Sequence, residues 1–99
     1  MAVYEVRILP TARRELAALP TRDRKRADAA ILTLAENPRP PRCKKIAGEE
    51  DLYRIRIGVW RVLYRIKDEL LLVVVVRVRH RSDAYRRPFP SAAVESGPS

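Results

Sequence analysis

Arginine is the residue type with which this sequence is equipped to do chemistry. Arg54 and Arg56, Arg61 and Arg65, and Arg77, Arg79 and Arg81 recur at even spacing through the second half of the chain. A guanidinium is planar, stays charged and can donate two parallel hydrogen bonds to phosphate oxygens. Cleavage of RNA by a ribose 2′-hydroxyl, which attacks the neighbouring phosphorus and expels the 5′-oxygen, builds negative charge in a pentacovalent transition state. Preorganised arginines answer that charge directly. They serve badly as bases, because a guanidinium pKa of ~12.5 or higher keeps the proton in place. The one histidine, His80, has the type of side chain that titrates near ~6.5 and can move protons. Tyr85 lies just beyond, with a ring that can stack on a base and a hydroxyl that can reach phosphate.

Other routes to chemistry are missing. Cys43 and His80 alone cannot build a zinc site, and the three glycines, at 48, 58 and 97, are isolated and form no phosphate-binding loop. No metal and no cofactor is expected.

The elements that would position the arginines read as strands. Tyr53, Ile55 and Ile57 alternate with Arg54 and Arg56; after Gly58, Trp60, Val62, Tyr64 and Ile66 alternate with Arg61, Leu63 and Arg65. Lys67, Asp68 and Glu69 make a polar turn before an apolar, β-branched run from Leu70 to Val78. Paired as a meander, these strands form a sheet with one greasy face and one face of guanidinium groups. Arg54, Arg56, Arg61 and Arg81 can then converge on one phosphate, or merely keep the face wet. His80 has the parity opposite to Arg79 and Arg81, which favours a structural hydrogen bond over catalysis. Trp60 and Tyr64 fall on the apolar face and belong to the core.

Earlier in the chain, Val3 to Leu9 alternates as a first strand that Pro10 ends. Thr11 offers an N-cap, and Ala12, Leu16 and Leu19 make one helical face. Pro20 and Thr21 start a second helix with Asp23 near its positive end. Its apolar stripe is Ala27, Ala30, Ile31, Leu34 and Ala35. Prolines at 38, 40 and 41 stop it. Cys43 to Ala47 reads as a short edge strand, and Glu49, Glu50 and Asp51 as a solubilising turn. The stretch 88–99 lacks periodicity and reads as a disordered tail after a domain spanning 1–87.

The chain has 99 residues, with 21 Lys and Arg against 12 Asp and Glu, for a net charge of +9. One small domain with that imbalance attracts polyanions: RNA, DNA, ribosomes or an acidic protein segment. Lys44, Lys45, Arg65, Arg77 and Arg79 join the list of RNA-binding candidates. A single cysteine excludes an intrachain disulfide and fits a reducing cytoplasm. The first residues lack the pattern of a signal peptide, and no apolar run approaches the ~18 residues that cross a bilayer.

An ordered set of segments carries a resemblance. They are Pro-Thr-Ala-Arg-Arg-Glu-Leu-Ala-Ala-Leu-Pro (10–20), Leu-Ala-Glu-Asn-Pro-Arg-Pro-Pro (34–41), Lys-Lys-Ile-Ala-Gly (44–48), Leu-Tyr-Arg-Ile-Arg-Ile-Gly-Val-Trp-Arg-Val-Leu-Tyr (52–64) and His-Arg-Ser-Asp-Ala-Tyr-Arg (80–86). Together they resemble the RelE branch of the RelE/ParE toxin superfamily, found in type II toxin-antitoxin pairs. The resemblance implies an α+β fold: about four antiparallel strands with two N-terminal helices packed on one face, related to small microbial RNases, with room for a short C-terminal helical turn. It implies a ribosome-dependent endoribonuclease that cleaves mRNA in the A site by metal-free 2′-hydroxyl attack. It also implies a cognate antitoxin that wraps the toxin in a hetero-oligomer and blocks its basic face. The family's basic pair falls on Arg54 and Arg56, its strand arginine on Arg61, its late arginine, which helps the leaving oxygen, on Arg81, and its stacking tyrosine on Tyr85.

Two departures from the family pattern stand out. Studied members carry lysines where Arg54 and Arg56 stand, one of them a candidate base, so electrostatic stabilisation should dominate here. Arg79 replaces a common glycine and adds bulk and charge beside the site. Two other readings keep the fold: a ParE-like gyrase poison, and a basic RNA-binding protein without catalysis.

Overall fold

The computed structural model describes residues 3–82. Among them run β1 (Glu5–Ile8), α1 (Pro10–Ala17), α2 (Thr21–Thr33), β2 (Lys44–Lys45), β3 (Leu52–Ile57), β4 (Trp60–Lys67) and β5 (Leu72–His80). Tyr85, the expected domain boundary at 87, the tail and any C-terminal helical turn lie outside the described residues. The strands form one sheet in the order β1-β5-β4-β3-β2. The expected sheet of about four antiparallel strands is in fact five-stranded and mixed, because β1 runs parallel to β5. The α+β class and the two N-terminal helices are as expected.

The β3-β4-β5 meander rests on local turns. Gly58, at φ 62°, takes the first central position of the two-residue β3-β4 turn, where a left-handed backbone suits glycine. A short 3-10 turn at Asp68–Leu70 joins β4 to β5. At the other end of the chain, α1 begins at Pro10, not after a Thr11 cap. Leu9 is the N-cap residue and makes no side-chain bond. Proline suits a first helical position, whose N–H would have no helical partner anyway.

Both helices cover one face of the sheet. Leu16, Ala27, Ile31 and Leu34 bury their side chains against Ile55, Val62, Tyr64, Val73, Val75 and Val78. The opposite face has a smaller apolar cluster of Leu52, Leu63 and Val76, against which Leu9, Ile46 and Val74 pack.

A register shift decides which face the late arginines occupy. Leu63 pairs with Arg77, but Tyr64 pairs with Val75, so Val76 is an extra residue in β5. Val73 and Val75 point into the helix-side core. With strict alternation Arg77 and Arg79 would follow them into it. The bulge resets the parity and turns both arginines to the other face.

The free edge of β5 beyond β1 is closed by α1. Its Glu15 accepts a hydrogen bond from the Val78 backbone N–H at 2.7 Å and from Arg77 Nη2 at 3.0 Å. One carboxylate therefore satisfies a strand-edge donor and holds a guanidinium. Glu15→Gln keeps an acceptor for Val78 but loses the ion pair, whereas Glu15→Ala loses both. Denaturant melts should show Glu15→Ala as the less stable variant by about 1–2 kcal/mol.

Candidate phosphate-binding face

The antiparallel register lines up cations across neighbouring strands. Arg56 on β3 lies opposite Arg61 on β4, and Arg61 lies opposite Arg79 on β5. With strands about 4.8 Å apart, the three span roughly 10 Å perpendicular to the chain direction. Arg54 lies two residues from Arg56 and shares its face, and Lys44 of β2 pairs with Arg54 to extend that face to the sheet edge. Like charges in direct opposition repel. A polyanion laid across the row relieves that repulsion.

Arg61 is the inner member, buried to 8% exposure, and its Nη1 donates to the Arg81 backbone carbonyl at 2.9 Å. The Arg81 backbone N–H in turn donates to the Val59 carbonyl at 2.7 Å. Two bonds thus fasten the turn that carries Arg81 to the end of the β3-β4 hairpin, beside Arg61. The Arg81 side chain is exposed. Beside this row, Arg42, Lys44, Arg54 and Arg56 line a depression of about 310 Å³.

Several sequence candidates sit elsewhere. His80 lies opposite Trp60 on the helix-side face, its ring edge-on to the indole with centroids 5.3 Å apart. Its Nδ1 accepts the Ser82 backbone N–H at 3.2 Å. The Trp60 indole N–H donates to Asp23 at 2.9 Å, so His80 belongs to a packed structural cluster. Lys45 pairs with Tyr53 and lies on the face opposite Lys44. Arg65 is buried, with Nη1 2.6 Å from Asp51 and Nη2 3.3 Å from Glu49. Asp51 also binds Lys67. Glu49 and Asp51 therefore do more than solubilise a turn. They supply the carboxylates that let a guanidinium be buried in the sheet. Arg77 shares the arginine face but is held by Glu15.

A second polar cluster lay unread in the sequence. Arg39 donates to both oxygens of Asp68, at 3.1 and 2.8 Å, and to the Tyr53 hydroxyl at 3.3 Å. Its guanidinium carbon lies 5.2 Å from the Tyr53 ring centre. The Tyr4 hydroxyl donates to Asp68 at 2.7 Å. Hydrogen bonds from Arg39 and then Tyr4 lower the Asp68 carboxyl to about 2. No local signal marks such a cluster, because its members are scattered from residue 4 to residue 68.

Comparison with known proteins supplies the family. The model for "ParE toxin of type II toxin-antitoxin system, parDE" matches residues 6–85. Toxin RelG of Mycobacterium tuberculosis is 41% identical over 88 residues, which covers 85% of this chain and 98% of that protein. This chain is a type II toxin-antitoxin toxin of the RelE/ParE family. The archaeal RelE-RelB complex from Pyrococcus horikoshii OT3 superposes with a TM-score of 0.73 at 26% identity, over 83% of this toxin and 99% of that chain. The M. tuberculosis toxin-antitoxin complex RelBE2 gives 0.64 at 37% identity, over 81% and 100%.

Acid should loosen the toxin through its paired carboxylates. For Asp51, burial alone would raise the pKa, but hydrogen bonds from Lys67 and Arg65 outweigh it and the net direction is down. Asp51 and Asp68 both bind protons less readily folded than unfolded, where an aspartate titrates near ~3.9. Their stabilisation is complete above that value and is lost as pH falls through the folded values, to about 2 for Asp68. Unfolding free energy from denaturant melts should drop below about pH 4, and Asp68→Asn should flatten that drop.

Proposed function

We propose that this toxin is an endoribonuclease that cleaves mRNA at the ribosomal A site by 2′-hydroxyl attack, and that a cognate antitoxin holds it in check. The observation that carries the reading is the row Arg56, Arg61 and Arg79, with the Arg81 turn tied to Arg61. The 2′-hydroxyl gives its proton to solvent as its oxygen bonds to phosphorus and the bond to the 5′-oxygen breaks, and the 5′-oxygen takes up a proton, leaving a 2′,3′-cyclic phosphate and a 5′-hydroxyl. Arg54, Arg56 and Arg61 stabilise the charge that gathers on the phosphoryl oxygens. Arg81 assists the departing 5′-oxygen, and Tyr85 stacks on the substrate. Arg79 and Lys44 hold flanking phosphates.

Because guanidinium groups keep their protons, the basic pair contributes electrostatic stabilisation and not base catalysis. His80, on the other face against Trp60, is not assigned the proton. The antitoxin reading draws on relatives solved as RelE-RelB and RelBE2 complexes. The net charge of +9 suits an acidic wrapping segment.

The description of the matching family model favours one rival, a gyrase poison. Mapping mRNA 5′ ends after brief induction separates the two: fragments at ribosome-occupied codons support the RNase, and DNA damage with intact mRNA supports the rival. Arg61→Ala and Arg81→Ala should each lower single-turnover cleavage on programmed ribosomes by ~10² to 10³. Unchanged cleavage by either variant removes that arginine from the mechanism.

A further inference from the structure

The loop between α2 and β2 ends at a cation that the functional reading leaves unused. Arg42 lines the depression shared by Lys44, Arg54 and Arg56. It also borders a groove between α2 and β3 with Arg26 and Ile57, so it stands where the sheet edge meets the helix layer. Nothing local obliges an exposed loop arginine to stay there.

The loop is nevertheless tied down at several points. The buried Tyr64 hydroxyl donates to the Pro38 carbonyl at 2.8 Å, and the Cys43 N–H donates to the Pro40 carbonyl at 2.9 Å. Between them Arg39 is gripped by Asp68, which sits in the β4-β5 turn. Prolines at 38, 40 and 41 restrict the intervening backbone, so an anchor at Arg39 is transmitted to Arg42. Arg39 and Asp68 are 43% and 52% exposed. Ion pairs in that setting add little to global stability. The bidentate geometry instead restricts where the loop can go.

We propose that Arg42 is a phosphate-binding residue of the cationic depression, taking a backbone phosphate of single-stranded RNA beside the scissile one, and that Asp68 is its positioning residue, acting through Arg39. The proposal rests on the RNA-binding reading of the arginine face. Asp68 touches no substrate; it sets the place of a cation several residues away in another part of the chain.

The salt dependence of binding counts phosphate contacts. The logarithm of the affinity falls against that of salt concentration with a slope of about −0.7 per neutralised phosphate for single strands. The probe is a single-stranded RNA oligonucleotide with 2′-O-methyl groups, which cannot be cleaved, titrated with the full-length toxin. Arg54→Ala and Arg42→Ala should each make the slope shallower by about 0.7. Asp68→Asn should do the same, although it makes the protein more positive by one charge, and Asp68→Glu should keep the wild-type slope. The double variant Arg42→Ala/Asp68→Asn should be no shallower than Arg42→Ala alone. A wild-type or steeper slope for Asp68→Asn, beside the expected loss in Arg54→Ala and Arg42→Ala, overturns the positioning role alone. A wild-type slope for Arg42→Ala beside a loss in Arg54→Ala overturns the subsite. A wild-type slope for Arg54→Ala removes the RNA reading of the depression, and this inference with it. Thermal melts of each variant separate a folding defect from a lost contact.

Discussion

The alignment of β3, β4 and β5 is the constraint on which the rest of the toxin depends. One pairing scheme puts Ile55, Val62 and Tyr64 into the helix-side core and, at the same time, Arg56, Arg61 and Arg79 into direct opposition. A slip by one residue would expose the apolar set and bury the cations. Burying each large apolar side chain contributes roughly 1.5–3 kcal/mol, so several of them outweigh the mutual repulsion of a few guanidiniums. The arrangement of the cationic face is thereby maintained by the apolar face behind it.

The carboxylates complete this division of labour. Glu15 engages Arg77, Glu49 and Asp51 engage Arg65, Asp51 also engages Lys67, and Asp68 engages Arg39. Those of Arg65, Lys67 and Arg39 lie toward the β4-β5 turn, at the other end of β4 from Arg61. The chain thus contains arginines of two kinds: some are structural cations fastened to acids, and others are gathered by strand pairing. Composition cannot tell them apart, since the distinction depends on which acid is brought near by the fold.

Much of the architecture was legible in the residues. Alternation around Arg54, Arg56, Arg61 and Arg65 gave the strands and their faces, and the 3.6-residue spacing of Ala27, Ile31 and Leu34 gave the buried side of α2. These are local signals, read within a dozen residues. What escaped was non-local. The parallel partner of β1 lies more than sixty residues away, and the acids that serve Arg65 and Arg39 are separated from them by intervening turns. The extra residue at Val76 escaped for a different reason: in the run of seven leucines and valines from Leu70 to Val76, every parity looks alike. The parity of His80 turns it away from Arg79, but its indole partner becomes visible only with the pairing of Trp60 with the end of β5.

The pairing of β1 with β5 has a consequence for how the molecule comes into being. Glu5 to Ile8 lie beside Leu72 to Val75, so the sheet's outer strand is made first and its neighbour last. Contacts of such long sequence separation form late and slow the acquisition of the fold. A nascent chain halted before residue 72 has no partner for its opening strand, and α1 has no β5 edge to cover. The sheet therefore closes only once residues 72–80 are available to pair, and any fragment ending before them lacks the strand that joins β1 to β4.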